Sequence, residues 1–396
     1  MLINYKKIVG LWSLLVIIPL ILIFGFNYIV DPYSQNNNFN KKLITDDISV
    51  KFNFTKSKNN NTYLLSSSRG GTIDPELIEN NLKNTKAINL SFGSASLDEM
   101  QIFINSIILN KNDSKYVFIG LDFFQFSKNW LPTRPISTKE LLGITSKRNY
   151  KKNYGQYINI NTLKDSIETL IKNRLHPDEI SCNLECSTLK KKGMRYYSNF
   201  INSIDYDIEA KVTNGRHYWH RESYDYSQVL VLKNILSKLR KNNITAFIYM
   251  NPITFQQIYS SDITNALAND DQVAISGSGA SFFEQLNLID DIVTNTDAII
   301  YDFNNLNMVN LNNSNFLDTF HYNYKVADCI VNKISIGESE CGNDFGAIID
   351  KNNIKMYKRQ MQDKYFKLLL DDNLGFTTKK TEAAINTARK LLRKYQ

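Results

Sequence analysis

A chain of 396 residues with 43% hydrophobic residues, 22 Phe and 22 Tyr can fill a substantial core, which excludes wholesale disorder. Less a short leader, it is long enough for one large domain or two ordinary ones. Its net charge of +8 comes without a zinc finger or other recognised nucleic-acid module, which argues against nucleic acid as a partner.

Ile8 to Phe26 is a continuous, mainly apolar stretch without a charge, preceded by Lys6 and Lys7. At ~1.5 Å per residue it nearly crosses a hydrocarbon core of about 30 Å. The preceding lysines keep the N-terminus cytoplasmic and place the rest outside. A cleaved signal peptide needs a small-residue cleavage site, yet no alanine precedes Ala87 and nothing near Gly25-Phe26-Asn27 supplies one. We therefore read residues 1–30 as a cytoplasmic stub and uncleaved transmembrane anchor. Pro32 discourages further helix, and the polar residues 31–61 read as a juxtamembrane linker.

From Tyr63 the pattern alternates. An apolar strand, Tyr63 to Leu65, runs into Ser66-Ser67-Ser68-Arg69-Gly70-Gly71 and then a helix from Pro75 to Lys83. A strand at Ala87–Ser91, a loop at Phe92–Ser96, a helix at Leu97–Asn110 and a strand at Tyr116–Leu121 ending at Asp122 follow. This order implies a parallel sheet with helices on both faces and the strand ends on one side. Chemistry collects at the carboxyl edge of such sheets, where a helix N-terminus favours a developing oxyanion. Ser68 is therefore read as a nucleophile, and Gly93, without a side chain, as a backbone oxyanion donor.

Between residues 126 and 227 the rhythm breaks into an aromatic, basic, turn-rich stretch with one helix near Leu163–Asn173. It is too long for a bare loop and reads as an insertion over the active edge. Within it, His217 and His220 lack a convincing third ligand, so Arg216–Arg221 reads as an exposed lid surface rather than a metal site. A helix at Ser227–Lys241, a strand at Ile244–Met250, a helix at Ser281–Thr294 and a strand at Ala298–Phe303 complete five core strands. Then comes Asp318-x-x-His321. An imidazole can take a serine's proton near neutral pH, and a carboxylate fixes its tautomer and stabilises its cation. Backbone N–H groups then hold the oxyanion. The other histidines, His176, His217 and His220, lack an aspartate three residues earlier. This chemistry calls for no cofactor and no metal.

Cys182, Cys186, Cys329 and Cys341 fit no zinc pattern. Outside the cytoplasm they would form two local disulfides, Cys182–Cys186 and Cys329–Cys341; inside it, four thiols.

Ser68, Gly93, Asp318 and His321, in this order after successive strands, resemble the catalytic positions of the SGNH, or GDSL-type, hydrolases. The resemblance covers roughly Tyr63 to Ile334. It implies an α/β fold of the flavodoxin-like kind: a three-layer α/β/α sandwich around a parallel five-stranded sheet, spanning residues 62–338. It also implies Ser68 and Gly93 N–H groups as the oxyanion donors. The N-terminal anchor, Ser66-Ser67-Ser68-Arg69 and Gly120-Leu121-Asp122-Phe123-Phe124 look more like the membrane-anchored, cell-envelope branch. That branch includes relatives of the teichoic-acid D-alanylation protein and of alginate O-acetyltransferases. Its members imply an extracytoplasmic domain on the bacterial inner membrane and an envelope polysaccharide as substrate. They also imply a membrane-bound O-acyltransferase as a possible partner. Two departures stand out. Ser66 occupies a place commonly held by glycine, and the family's asparagine oxyanion donor has no clean copy. Its nearest equivalent is Asp122, which would repel an oxyanion if ionised. Either Asp122 pairs with Arg69 across adjacent strand ends, or it caps a helix while Arg69 is solvated.

Residues 339–396 read as a C-terminal helical extension. Ile354–Leu370 has helical spacing, and Lys379–Gln396 reads as an amphipathic helix with a solvated basic face. Serine-dependent acyl transfer or ester hydrolysis on an envelope polysaccharide is the leading expectation. A plain esterase of small or lipid esters, and a non-catalytic scaffold with a degenerate site, are the alternatives.

Overall fold

The computed structural model describes residues 5–32, 60–127, 157–175, 187–189, 194–197, 224–255, 281–318 and 320–370, with isolated positions 48, 51, 55, 257 and 258. The chain divides into two compact units. One comprises Met1–Lys58 and Arg134–Asn199, the other Asn59–Thr133 and Phe200–Gln396.

In the first unit, helix α1 spans Tyr5–Val30. Its segment Val9–Val30 is long and apolar enough to cross a membrane, with a mean hydropathy of 2.6. Every side chain from Val9 to Leu22 is exposed. Near its end, Asn27 donates to the Tyr157 carbonyl (2.8 Å), and Tyr157 donates to Asp31 (3.0 Å). The helix expected near Leu163–Asn173 belongs to this unit and runs from Ile160 to Leu175.

The second unit carries the sheet. Strand β1 (Thr62–Leu65) is followed by helix α2 (Pro75–Asn81), which starts at a proline behind an Asp74 cap. Strand β2 (Ala87–Asn89) leads to helix α3 (Leu97–Ser106), opened by a reciprocal Ser96–Glu99 capping box. Strand β3 (Tyr116–Leu121) follows. A small antiparallel ribbon, β4 (Ser187–Leu189) with β5 (Arg195–Tyr197), lies in the first unit. The second unit resumes with helix α4 (Tyr226–Lys241), strand β6 (Thr245–Met250), helix α5 (Ser281–Thr296) and strand β7 (Ile300–Asp302). The insertion between β3 and α4 closes at its base, where Ser127 and Tyr224 form an antiparallel bridge. The Asp225 N–H donates to the Phe126 carbonyl (2.5 Å) there.

The sheet has six strands rather than the expected five, in the order β2-β1-β3-β6-β7-β8. The first five are mutually parallel; β8 (Ala347–Ile349) joins β7 antiparallel. The segment read as an extension thus contributes an edge strand. Helix α6 (Tyr324–Ile336) connects the Asp-His turn toward β8, and helix α7 (Ile354–Leu370) follows it. The helices pack in two groups, α2 with α6, and α3, α4, α5 and α7 in sequence. On the α2/α6 face, Leu64, Phe118 and Tyr249 from neighbouring strands meet Ile78, Val326 and Ile330. A disulfide joins Cys329 on α6 to Cys341. Cys182 and Cys186 lie outside the described residues, as do Arg216–Arg221 and Lys379–Gln396.

At the end of β7, Asp302 is buried. It accepts from Tyr357 Oη (2.6 Å) and the Asn304 N–H (2.8 Å). Burial pushes its carboxyl up to about 6, despite these hydrogen bonds. A raised acid means that the folded chain holds a proton that the unfolded chain has already lost. Stability is therefore highest below about pH 4 for this group and is lost as pH rises through about 6. Asp302→Asn removes the ionisation, while its amide can still meet Tyr357. Urea denaturation should show the variant gaining on wild type between pH 4 and pH 7.5, by about 2 kcal/mol.

Candidate active site

The chain order reverses across the sheet at β1. The path goes from β1 to β2 on one side and returns to β3 on the other. The crevice outside the carboxyl ends of β1 and β3 is thus a topological switch point, the usual ligand site of open α/β sheets. Ser68 opens a 3₁₀ turn, Ser68–Thr72, directly after β1. Ser67 caps that turn by accepting from the Arg69 N–H (3.2 Å). The β2 side continues alongside: Leu90 N–H donates to Leu64 O (2.8 Å) and Phe92 N–H to Ser66 O (3.2 Å). This register carries Gly93 to the level of the nucleophile turn.

His321 reaches the same edge from the loop before α6. Its Nε2 lies 2.9 Å from Ser68 Oγ, and its Nδ1 lies 2.7 Å from Asp318 Oδ2. Asp318 Oδ1 accepts from the backbone N–H groups of Phe320 and His321, each at 2.7 Å. One carboxylate therefore shapes the turn and orients the ring. Burial, the largest single effect on Asp318, pushes its acid up. The charge and hydrogen bond of His321 and the two backbone donors outweigh it and hold the carboxyl at about 2. An ionised carboxylate only accepts, so Nδ1 must carry the proton and Nε2 is left as the acceptor facing the Ser68 hydroxyl.

Arg69 and Asp122 are paired across the ends of β1 and β3: Nη1 lies 2.6 Å from Oδ1. The Asp122 side chain is 0% exposed and that of Arg69 11%. The guanidinium also lies against Phe124 and Phe320, 5.8 and 5.3 Å from their ring centres. Asp122 is thus neutralised by the residue that follows Ser68.

Two residues that the sequence reading did not single out hold these pieces. Asn89, the lone polar residue in β2, donates to the carbonyls of Gly70 (2.8 Å) and Ile73 (2.9 Å) and accepts from the Ser91 N–H (2.9 Å). It ties the Ser68–Thr72 turn to the neighbouring loop. Asn251, at the end of β6, donates to Ser66 Oγ (3.0 Å) and accepts from Tyr322 Oη (3.1 Å). Ser66 and the residue next to His321 therefore share one buried amide. A buried polar side chain inside an apolar strand was the available signal, because such a group must find partners. Gly70 and Gly120 make room for Ser66: a β-carbon on either would overlap its side chain. Ser66 is thus built into the fold.

Among the described residues no group of three or more His, Cys, Asp or Glu side chains could hold a metal ion. His176, His217 and His220 lie outside the described residues. The sequence matches no protein-family model and no curated protein.

Proposed function

We propose that the chain is a serine-dependent acyltransferase or esterase of the SGNH kind, acting on a cell-envelope polysaccharide, with acetyl as the expected acyl group. The observation that carries this reading is the unbroken relay from Asp318 through His321 to Ser68, at 2.7 and 2.9 Å. In the first half-reaction Ser68 Oγ attacks the acyl carbonyl and its proton passes to His321 Nε2. The Ser68 and Gly93 N–H groups receive the oxyanion. Collapse expels the alcohol, which takes the proton from His321 and leaves an acyl-serine. A sugar hydroxyl, or water, then attacks the acyl-serine while His321 takes its proton and returns it to Ser68.

The Cys329–Cys341 disulfide supports an oxidising compartment, as an exported domain requires. Together with α1 and the lysines in its first turn, this favours a single-pass anchor in a bacterial inner membrane with the catalytic unit outside. A membrane-bound O-acyltransferase is the natural acyl donor partner in that setting.

The test uses the full chain in nanodiscs with a p-nitrophenyl acetate donor. Turnover that rises at least about tenfold when a soluble glycan is added supports transfer. Turnover indifferent to the glycan makes the protein a hydrolase. A chain that neither labels with a fluorophosphonate nor turns over the ester is a scaffold, and the proposal falls.

A further inference from the structure

Behind Arg69 lies a cavity of ≈ 20 Å³ between the ends of β3, β6 and β7, lined among others by Asp122, Gln285 and Asn304. All three side chains belong to buried residues, at 1%, 5% and 7% exposure. Each keeps one polar atom without a hydrogen-bond partner: Asp122 Oδ2, Gln285 Nε2 and Asn304 Oδ1. Leaving such atoms unpaired is costly, so a fold that gathers three of them around one space has a use for them.

Their chemistry selects the occupant. The bond between Asn304 Nδ2 and Gln285 Oε1 (2.8 Å) spends one donor and one acceptor of the amide pair. One donor and one acceptor remain, and interchanging both amides leaves the same count. Asp122 adds a second acceptor, its charge already matched by Arg69. An anion would meet the Asp122 carboxylate and the Asn304 carbonyl. An ammonium would satisfy both acceptors but turn a donor toward the Gln285 N–H and lie beside a guanidinium. A neutral hydroxyl donates to one acceptor and accepts from Gln285, so it meets two of the three atoms without adding a charge beside the Arg69–Asp122 pair. The space admits about one water-sized group and no ring. A larger ligand therefore enters it with one hydroxyl arm at most, in the place a water would otherwise take.

We propose that this cavity is a hydroxyl-binding subsite that seats an arm of the acyl-accepting sugar. This rests on the acyl-transfer reading above. Arg69, which follows Ser68 and also lines the cavity, links the subsite to the nucleophile turn.

The test is saturation-transfer NMR of methyl glucoside on the full chain in nanodiscs, comparing wild type with Gln285→Met. The variant keeps length and removes the free donor. Wild type is expected to bind and Gln285→Met to bind at least about tenfold more weakly. Methylamine and acetate should not compete. If Gln285→Met does not fold, Gln285→Asn, which retracts the amide, takes its place. Fluorophosphonate labelling of Ser68 without sugar should be the same in wild type and variant, because Gln285 has no part in forming the acyl-serine. Equal sugar binding in wild type and variant, no binding by wild type, or displacement by methylamine overturns the subsite. So does a variant whose only change is its melting temperature, as a structural water would give. Absence of Ser68 labelling in wild type instead fells the acyl-transfer reading, independently of the binding result.

Discussion

Ser68→Ala is expected to abolish fluorophosphonate labelling and to lower ester turnover by at least ~10⁴-fold. In the proposed reaction this hydroxyl bonds the acyl group, and it is the hydroxyl that faces His321 Nε2 at 2.9 Å. His321→Ala should cost about as much, and the Ser68→Ala/His321→Ala double variant no more than either alone. Side chains that act as one unit lose their effect together. Asp318→Asn separates two of the carboxylate's tasks. Its amide oxygen can still accept from the Phe320 and His321 N–H groups, which keeps the turn. Its amide nitrogen, however, faces Nδ1 with a donor and favours the tautomer that turns an N–H toward Ser68. Turnover should fall by orders of magnitude with little change in melting temperature. Because Asp318 titrates near 2, it stays charged from about pH 3 upward. A titration of kcat/KM near neutrality therefore belongs to another group. Stopped-flow turnover and gel-based labelling across these variants decide the matter. Undiminished labelling of Ser68→Ala would end the catalytic account.

The parts of this site that were legible in the sequence are those whose placement follows from one strand and the residues just after it. Ser68 follows an apolar run and precedes a proline-started helix. Asp318 and His321 are spaced to share a turn. Arg69 and Asp122 each follow a buried strand, so the sequence alone makes their pairing a geometric option. What was not legible depends on partners far apart in the chain. Asn251 and Ser66 are 185 residues apart, and neither shows in its own neighbourhood what it will bond. The sixth strand escaped for a different reason. Ala347–Ile349 is three residues long and buried only at Ile349. Its apolar run, Ala347-Ile348-Ile349, is too short to be told from a loop by periodicity. The helix ends moved for local reasons. The expected helix Leu97–Asn110 stops at Ser106 and tightens into a 3₁₀ turn over Ile108–Asn110, as helix C-termini commonly do.

Removing Arg69 should be among the most destabilising single changes available. Arg69→Ala leaves the Asp122 carboxylate, 0% exposed, without its counter-charge. Breaking a buried pair from one side costs about 3–5 kcal/mol. It also strips the guanidinium from between Phe124 and Phe320, whose faces favour a cation. Asp122→Asn is the milder break, because the guanidinium left behind is 11% exposed and can draw on solvent; about 1–2 kcal/mol is expected. The decisive variant removes both charges. Arg69→Ala/Asp122→Asn should be more stable than Arg69→Ala, so that a second substitution restores what the first removed. Urea denaturation at pH 7.5 reads this order directly. The rate of Ser68 labelling, measured well below the melting temperature, should follow the same order, since Arg69 shares the turn with Ser68. Stabilities that simply add would show the two side chains to be independent, and a cost below about 1 kcal/mol for Arg69→Ala would show the pair to be no more than a surface contact. Either outcome would mean that Arg69 is not the counter-charge that makes burial of the Asp122 carboxylate tolerable.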